Sequence, residues 1–181
     1  GDREWFRNNL ANTASGASFR NAPVMSNVFG RFYSYEEALS ACPQGWRLPS
    51  EEDWLALGKA CGAPANIEKY AQIPDVASKL MAPATFNDVT LWEYWPAVGE
   101  ITNSSKMSMV PAGYANLGDK NDDGKYANAI FTGVYQYAAY WTSDAVAEET
   151  DKAYYRYLQD NQPFLEIGKG DKVSFGANVR W

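Results

Sequence analysis

The sequence predicts a single α+β domain, because helical and strand-like patterns occupy different parts of its 181 residues. Two helix-start signals lie in the first third of the chain. Aromatic runs with strand-like alternation fill the last third, and turn-forming residues separate them. Between these parts, residues 87–126 show little helical periodicity and many turn residues, which indicates a long loop region.

Each of two helices near the N-terminal half is predicted from a capping box. In such a box, the side chain at the helix start and the side chain three residues later each accept a hydrogen bond from the other residue's backbone N–H. Ser34 and Glu37 form the first box, and the proline at position 43 cannot continue that helix. Ser50 and Asp53 form the second box. The two helices are therefore expected on either side of a short link.

The C-terminal part is predicted to contain three strands. They cover residues 152–160, 164–167 and 172–181, and turns lie at residues 161–163 and 168–171. Side chains alternate between the two faces of a strand, so Tyr155 and Tyr157 should face one way and Arg156 and Leu158 the other. Residues 4–10 read as the first strand of the chain.

Composition excludes several classes of function. The formal net charge is −6 and no Lys/Arg cluster occurs, which argues against nucleic acid and anionic membrane surfaces as partners. No apolar run is long enough for a transmembrane helix. The chain has no histidine, which rules out Ser-His-Asp and Cys-His catalysis and His-ligated zinc or iron. General acid–base chemistry would have to use Asp, Glu, Lys or Tyr.

Residues 42–54 read Cys-Pro-Gln-Gly-Trp-Arg-Leu-Pro-Ser-Glu-Glu-Asp-Trp. This run resembles the ACP-x-GW-x-LP-[ST]-x-x-EW-x-x-L signature of the Fibrobacter succinogenes major paralogous domain. It is also similar to the RLPTEAEW segment of the formylglycine-generating-enzyme (sulfatase-modifying factor) family. Further similarity to the first family lies, in the same order, at residues 4–10, 30–33, 78–80, 103–114, 140–143 and 178–180.

The resemblance implies one C-type-lectin-like domain over residues 1–181, in which the first and last strands pair and bring the termini together. The fold alone implies no particular activity, since it is shared by enzymes, sugar binders and protein binders. The reactive cysteine pair of the formylglycine-generating enzymes has no counterpart, because no cysteine follows position 61. We therefore expect no enzymatic activity, and the signature residues are expected to be scaffold: Trp46, Arg47, Leu48, Pro49 and Trp54.

Two cysteines, Cys42 and Cys61, each lie at the end of a predicted helix. In an exported protein they could form a disulfide, whereas in a reducing compartment they would be ordinary thiols. Spacing alone does not decide between these alternatives, because the geometry of the two Cβ atoms decides it.

Residues 119–124 match the first half of a calcium-binding loop, D-x-[DN]-x-[DN]-G. Asp119, Asn121 and Asp123 would offer side-chain oxygens, and Lys125 its carbonyl. The twelfth position, which should be a bidentate Glu, is Ile130. The alternative is a polar turn, which these residue types also favour. We expect no cofactor, and calcium is the one alternative that the sequence offers.

Aromatic residues in the long loop region are the predicted ligand-binding residues. They are Trp92, Tyr94, Trp95 and Tyr114, and the first three are expected to be exposed because their neighbours are typical of loops. Exposed Trp and Tyr can stack on sugar rings or anchor a protein partner.

The leading functional hypothesis is an exported or cell-surface binding module for a glycan or a protein. The family resemblance implies such a location in bacteria, either extracellular or at the outer cell surface, with a lipid anchor as one option. The alternative is a structural or tip subunit of a bacterial surface assembly that has no soluble ligand. An exposed strand edge or a large apolar patch would favour this alternative.

Overall fold

The computed structural model describes residues 3–181 and combines short helices with several small antiparallel sheets, which confirms the mixed α and β class. The α-helices are α1 (Ser26–Phe29), α2 (Tyr35–Ser40), α3 (Glu51–Ala60) and α4 (Ala77–Leu80). The strands are β1 (Ala17–Ser18), β2 (Arg31–Phe32), β3 (Thr85–Phe86), β4 (Val89–Thr90), β5 (Tyr114–Asn116), β6 (Ile130–Thr132), β7 (Tyr137–Ala145), β8 (Lys152–Gln159), β9 (Glu166–Asp171) and β10 (Phe175–Gly176). No helix in the described part of the chain has the length and apolar character needed to cross a membrane.

The longest strands form one antiparallel sheet in the order β7-β8-β9. A second antiparallel sheet has the order β10-β5-β6. Two further two-stranded sheets pair β1 with β2 and, as a hairpin, β3 with β4. The second sheet combines β10, from the end of the chain, with two strands from its middle. The long loop region is therefore not purely irregular, because it contains β4, the second strand of a hairpin, and the sheet strand β5.

Both predicted capping boxes are present. Ser34 accepts from the backbone N–H of Glu37, and the Glu37 carboxylate accepts from the backbone N–H of Ser34 at 3.0 Å. Ser50 and Asp53 make the same reciprocal pair at the start of α3, with the backbone N–H of Ser50 2.8 Å from the carboxylate. These local interactions satisfy N–H groups that the first turn of a helix leaves unpaired.

The β7-β8-β9 sheet lies between α2 and α3. On one face, Tyr140 and Leu158 pack with Trp54 of α3 in the first apolar cluster. On the other face, Trp141 and Tyr155 pack in a second cluster that includes residues of α2. Leu158 and Tyr155 thus fall on opposite faces of β8, which confirms the alternation predicted for that strand.

The predicted pairing of terminal strands is only partly correct. Neither residues 4–10 nor residues 177–181 form a regular strand. The termini nevertheless lie side by side, because the backbone N–H of Phe6 donates to the carbonyl of Trp181 and that of Leu10 donates to the carbonyl of Val179 at 2.9 Å. These two backbone hydrogen bonds take the place of the regular pairing of first and last strands that the resemblance implied.

The predicted turn at residues 168–171 is wrong, since these residues lie inside β9 and the chain reverses at residues 172–174. The glycines there serve close packing. A Cβ atom on Gly168 would lie 2.4 Å from the ring of Tyr155, and one on Gly170 would lie 2.5 Å from the ring of Phe175. Glycine in this strand therefore makes room for aromatic rings from neighbouring strands.

Buried polar side chains hold the C-terminal segment in place. The guanidinium of Arg180 donates to the Asn9 side-chain oxygen at 2.6 and 3.2 Å and to the carbonyl of Met107. The Asn178 amide donates to the carbonyls of Phe29 and Arg31 at 3.1 and 2.9 Å. Residues 178–180 thus connect the C-terminal segment to the N-terminal segment, to the region of α1 and β2, and to the loop at Met107.

The signature residues are mostly scaffold, as expected. Leu48, Pro49 and Trp54 are buried. Trp46 is only half-buried, and Arg47 is exposed, with its guanidinium bound to the capping carboxylate of α3. Trp46 is therefore less buried than expected of a scaffold aromatic, and Arg47 lies on the surface beside the start of α3.

Candidate functional site

An open groove of about 930 Å³ lies beside the β3–β4 hairpin, and we call it the hairpin groove. It is lined by residues 83–85, 89–94, 99–101, 134–136 and 160. Its volume falls within the range of about 300–1,000 Å³ that is typical of small-molecule sites.

The β3–β4 hairpin forms one wall of the groove, and its two strands are joined by a tight turn. Asn87 and Asp88 link β3 to β4, and both have positive φ, 49° and 61°. Two consecutive left-handed residues are the mark of a type I′ turn, whose twist matches that of the paired strands. The pairing brings Val89, whose side chain is exposed, to the groove.

The segment before β7 forms another wall. Tyr135 has φ 68°, a conformation that is strained for an aromatic residue, at a cost of about 1–3 kcal/mol. Hydrogen bonds hold it there: its N–H donates to the carbonyl of Pro111 at 2.9 Å, and Tyr137 N–H donates to the carbonyl of Gly133 at 2.8 Å. The Tyr135 side chain is 37% exposed and lines the groove.

The loop aromatics divide between core and surface. The expected exposure of Trp92 is wrong, because Trp92 is 1% exposed and its indole N–H donates to the carbonyl of Met109 at 2.8 Å. Tyr94 is 69% exposed, as expected, and lines the groove. Trp95 is also on the surface, at 38% exposure, but it is not among the lining residues. Trp92 thus contributes a rigid inner wall and Tyr94 a free ring at the rim.

Carboxylates are the charged groups of the hairpin groove. Glu93, Glu100 and Asp160 line it, and no Lys or Arg of residues 3–181 does. Asp160 is almost completely buried, and its backbone N–H donates to the carbonyl of Gln136 at 2.8 Å. The groove therefore combines hydrogen-bond acceptors and aromatic surface with a negative potential.

Tyr114 lies outside the hairpin groove. It lines a separate pocket of about 240 Å³ together with Tyr137, Tyr155 and Tyr157. Its ring centroid is 5.9 Å from that of Tyr137. Burial, with smaller contributions from the neighbouring tyrosines, raises the pKa of Tyr155 to about 12. Four tyrosines therefore line this pocket.

The predicted calcium loop has the geometry of a polar turn. The side-chain oxygen of Asn121 accepts from the backbone N–H of Asp123 at 3.1 Å and of Lys125 at 2.8 Å. The carbonyl of Lys125 accepts from the backbone N–H of Asn121 at 2.9 Å. Two of the expected ligand oxygens are therefore engaged within the loop, and Asp119 and Asp123 are exposed. No cluster of three or more His, Cys, Asp or Glu with metal-site geometry occurs in residues 3–181.

Cys42 and Cys61 are both free thiols, so the disulfide alternative is wrong. Cys42 packs against the apolar cluster on the α2 side of the sheet, and Cys61 against the cluster on the α3 side. Burial raises the pKa of each thiol above its ordinary value. Neither thiol therefore has the lowered pKa of a reactive cysteine.

Sequence reasoning missed several groove residues. The turn beside the groove carried a usable signal, since Asn87 and Asp88 are residue types that tolerate the left-handed conformation of a hairpin turn. Asp160 and Gln136 carried none, because they are distant in sequence and meet only through the pairing of β7 with β8.

Comparisons with known proteins identify the family. No curated protein and no solved structure matches the chain. The profile of the Fibrobacter succinogenes major domain matches residues 1–181. The chain therefore belongs to the Fibrobacter succinogenes major domain family.

Proposed function

We propose that this protein is a non-enzymatic binding module that holds a neutral carbohydrate in the hairpin groove. The observation that carries the proposal is the combination of surface-exposed Tyr94 and Tyr135 with three lining carboxylates. The C–H face of a sugar ring packs on an aromatic ring, and sugar hydroxyls donate to carboxylate oxygens. Trp92, fixed by its bond to Met109, provides a preorganised wall.

The charge of the groove supports a choice among sugars. Glu93, Glu100 and Asp160 would repel uronic acids and sulfated sugars, and no lining cation of residues 3–181 would offset them. Neutral sugars and amino sugars are the ligands that this potential favours. A peptide with a Lys or Arg side chain would also suit a groove lined by carboxylates and aromatic rings. A protein ligand is therefore the main alternative to a carbohydrate in this groove.

We infer a C-type-lectin-like fold, distantly similar to the sulfatase-modifying factor domains, and a location outside the cell or at its outer surface, with or without a lipid anchor. The support for both is the resemblance of the signature at residues 42–54 and membership of the family. Calcium is not required in this proposal, because Asn121 and Lys125 direct oxygens into their own turn.

A glycan array probed with calcium and with chelator tests the proposal. We expect selective binding of neutral or amino sugars under both conditions, and its loss in Tyr94→Ala and Tyr135→Ala. Trp95→Ala is the matched control for an exposed aromatic, and it should retain binding of mono- and disaccharides. Binding lost in chelator would instead assign a role to the Asp119 loop, and binding unaffected by either tyrosine variant would reject the groove.

A structural subunit of a surface assembly is the second candidate. Strand β9 is at the edge of its sheet, and its outer side pairs with no strand in residues 3–181. Such an edge can accept a strand from another chain, although the ion pair of Lys169 with Glu149 blunts this tendency. A blank array together with concentration-dependent oligomers in light scattering would favour this candidate over the binding module.

A further inference from the structure

A second pocket, of about 480 Å³, lies between the N-terminal segment and α3, and we call it the terminal pocket. The N-terminal segment contributes residues 3, 5 and 7, α3 and its end contribute residues 56, 57, 60 and 61, and the loop at residues 105–107 closes it. No Asp or Glu of residues 3–181 lines this pocket. Its charge is therefore opposite to that of the hairpin groove, in a chain with a formal net charge of −6.

Two cations of the terminal pocket have no carboxylate to neutralise them. Arg7 and Lys106 line it, and neither side chain forms an ion pair within residues 3–181. Some other cations of the protein are paired, for example Lys120 with Glu37. Both residues are exposed to solvent. Two unpaired cations that line one concavity favour an anion there.

Lys106 lies at a backbone position that is strained for a residue with a side chain. Its φ of 62° is a conformation for which glycine is the default residue. Hydrogen bonds fix the loop around it. The Asn103 side-chain amide donates to the hydroxyl of Ser108 and accepts from the backbone N–H of Ser108, both at 2.9 Å. The hydroxyl of Ser105 donates to the carbonyl of Lys79 at 2.6 Å. The loop that carries Lys106 is thus held in place by hydrogen bonds.

The rest of the terminal pocket is largely apolar. Trp5 forms one wall, and its ring is supported by that of Trp54, with centroids 5.0 Å apart. Leu57 and Met107, which are buried, also line the pocket. A largely apolar pocket that is also lined by cations matches a ligand with a hydrophobic body and one anionic group.

We propose that the terminal pocket binds a small organic carboxylate with an aromatic or aliphatic body. The guanidinium of Arg7 and the ammonium of Lys106 donate charge-assisted hydrogen bonds to the carboxylate, while the body of the ligand packs on Trp5. This site is independent of the hairpin groove, because the two have different lining residues and opposite charge.

Isothermal titration with benzoate and benzamide tests the proposal, since the two probes share shape and differ in charge. Benzoate should bind and benzamide should bind about tenfold more weakly or worse, as expected for loss of a charge-assisted hydrogen bond. In a two-dimensional amide NMR spectrum, benzoate should shift the signals of residues 105–107 and of the end of α3.

Lys106→Gly separates binding from folding. Glycine adopts the left-handed conformation without strain, so the melting temperature should not fall, while benzoate affinity should drop by about tenfold or more. Arg7→Gln should weaken benzoate to a similar degree. Lys59→Ala is the control, because Lys59 is an exposed cation on α3 that does not line the pocket, and it should change affinity by less than about twofold.

Three outcomes would overturn the proposal: no benzoate binding at millimolar concentration, equal binding of benzoate and benzamide, or equal affinity in wild type and Lys106→Gly. A negative result in this test would not contradict the proposal for the hairpin groove, because the glycan array tests a different set of residues.

Discussion

Glu51 and Arg156 form an ion pair in which neither side chain is exposed to solvent. The pair joins the first turn of α3 to the middle of β8, with Nε of Arg156 3.0 Å from a Glu51 oxygen. The guanidinium also donates to the carbonyls of Ala71 and Leu165 at 2.7 and 3.2 Å. The carboxylate accepts from the backbone N–H of Tyr70 at 3.2 Å. Helix, sheet and the loop before α4 are therefore connected through one buried charge pair.

Glu51→Gln should lower the free energy of unfolding by about 3–5 kcal/mol, because it leaves the buried Arg156 charge uncompensated. Chemical denaturation at neutral pH measures this. Glu52→Gln is the matched control on the same turn, and it should change stability by no more than about 0.5 kcal/mol because Glu52 is exposed. Equal effects of the two variants would contradict a structural role for the pair.

Trp92→Ala should cost about 3–5 kcal/mol in the free energy of unfolding, since it empties a core position and removes the bond to Met109. Tyr94→Ala should stay within about 0.5 kcal/mol of wild type, because its ring is mostly in solvent. Denaturant unfolding of both variants checks this. A small cost for Trp92→Ala would contradict its burial. If the stability costs are as expected, loss of ligand binding in Tyr94→Ala would mean that Tyr94 contacts the ligand. Loss of binding in Trp92→Ala would instead reflect damage to the core.

Asp53 should make the protein sensitive to acid. Burial opposes its charge, but hydrogen bonds from Arg47, Ser50 and Arg3 outweigh burial and hold its pKa below the usual range. The pKa of an aspartate in the unfolded chain is about 4. Because the pKa of Asp53 is lower in the folded protein, its charge stabilises the fold fully above about pH 4, and this stabilisation is lost as the pH falls below that value. Asp53→Asn should therefore destabilise by about 1–3 kcal/mol at pH 7, through the lost cap and ion pairs.

Thermal unfolding of wild type and Asp53→Asn between neutral pH and about pH 2 measures this linkage. The stability difference should narrow as the pH falls below about 4. Asp122→Asn, at an exposed loop position, should give a curve parallel to wild type. A constant difference for Asp53→Asn across the range would show that its charge is not the source of the effect.

Cys42 and Cys61 should both be alkylated in the folded protein without prior reduction, as two added groups by mass spectrometry. Because burial raises both pKa values, alkylation should be slow at neutral pH and accelerate as the pH rises and thiolate forms. A reductant should leave the melting temperature unchanged, whereas loss of a disulfide would typically cost about 2–4 kcal/mol. A mass without added groups would contradict the free thiols.

Local interactions are what the sequence by itself determined. The starts of α2 and α3 were predictable because each capping box joins residues three positions apart, such as Ser34 with Glu37. The alternation of β8 was predictable because strand geometry alone sends Tyr155 and Leu158 to opposite faces. The family was recognisable because its signature is a continuous run at residues 42–54.

Tertiary structure decided which aromatic residues face solvent and which side chains share a cavity. Trp92 and Tyr94 have similar neighbours in sequence, yet the carbonyl of Met109 and the apolar cluster around it bury the first and leave the second exposed. Asp160 enters the hairpin groove only because β7 pairs with β8. Burial and cavities depend on contacts between residues far apart in the chain, and the energy of those contacts outweighs the local preferences that a sequence pattern records.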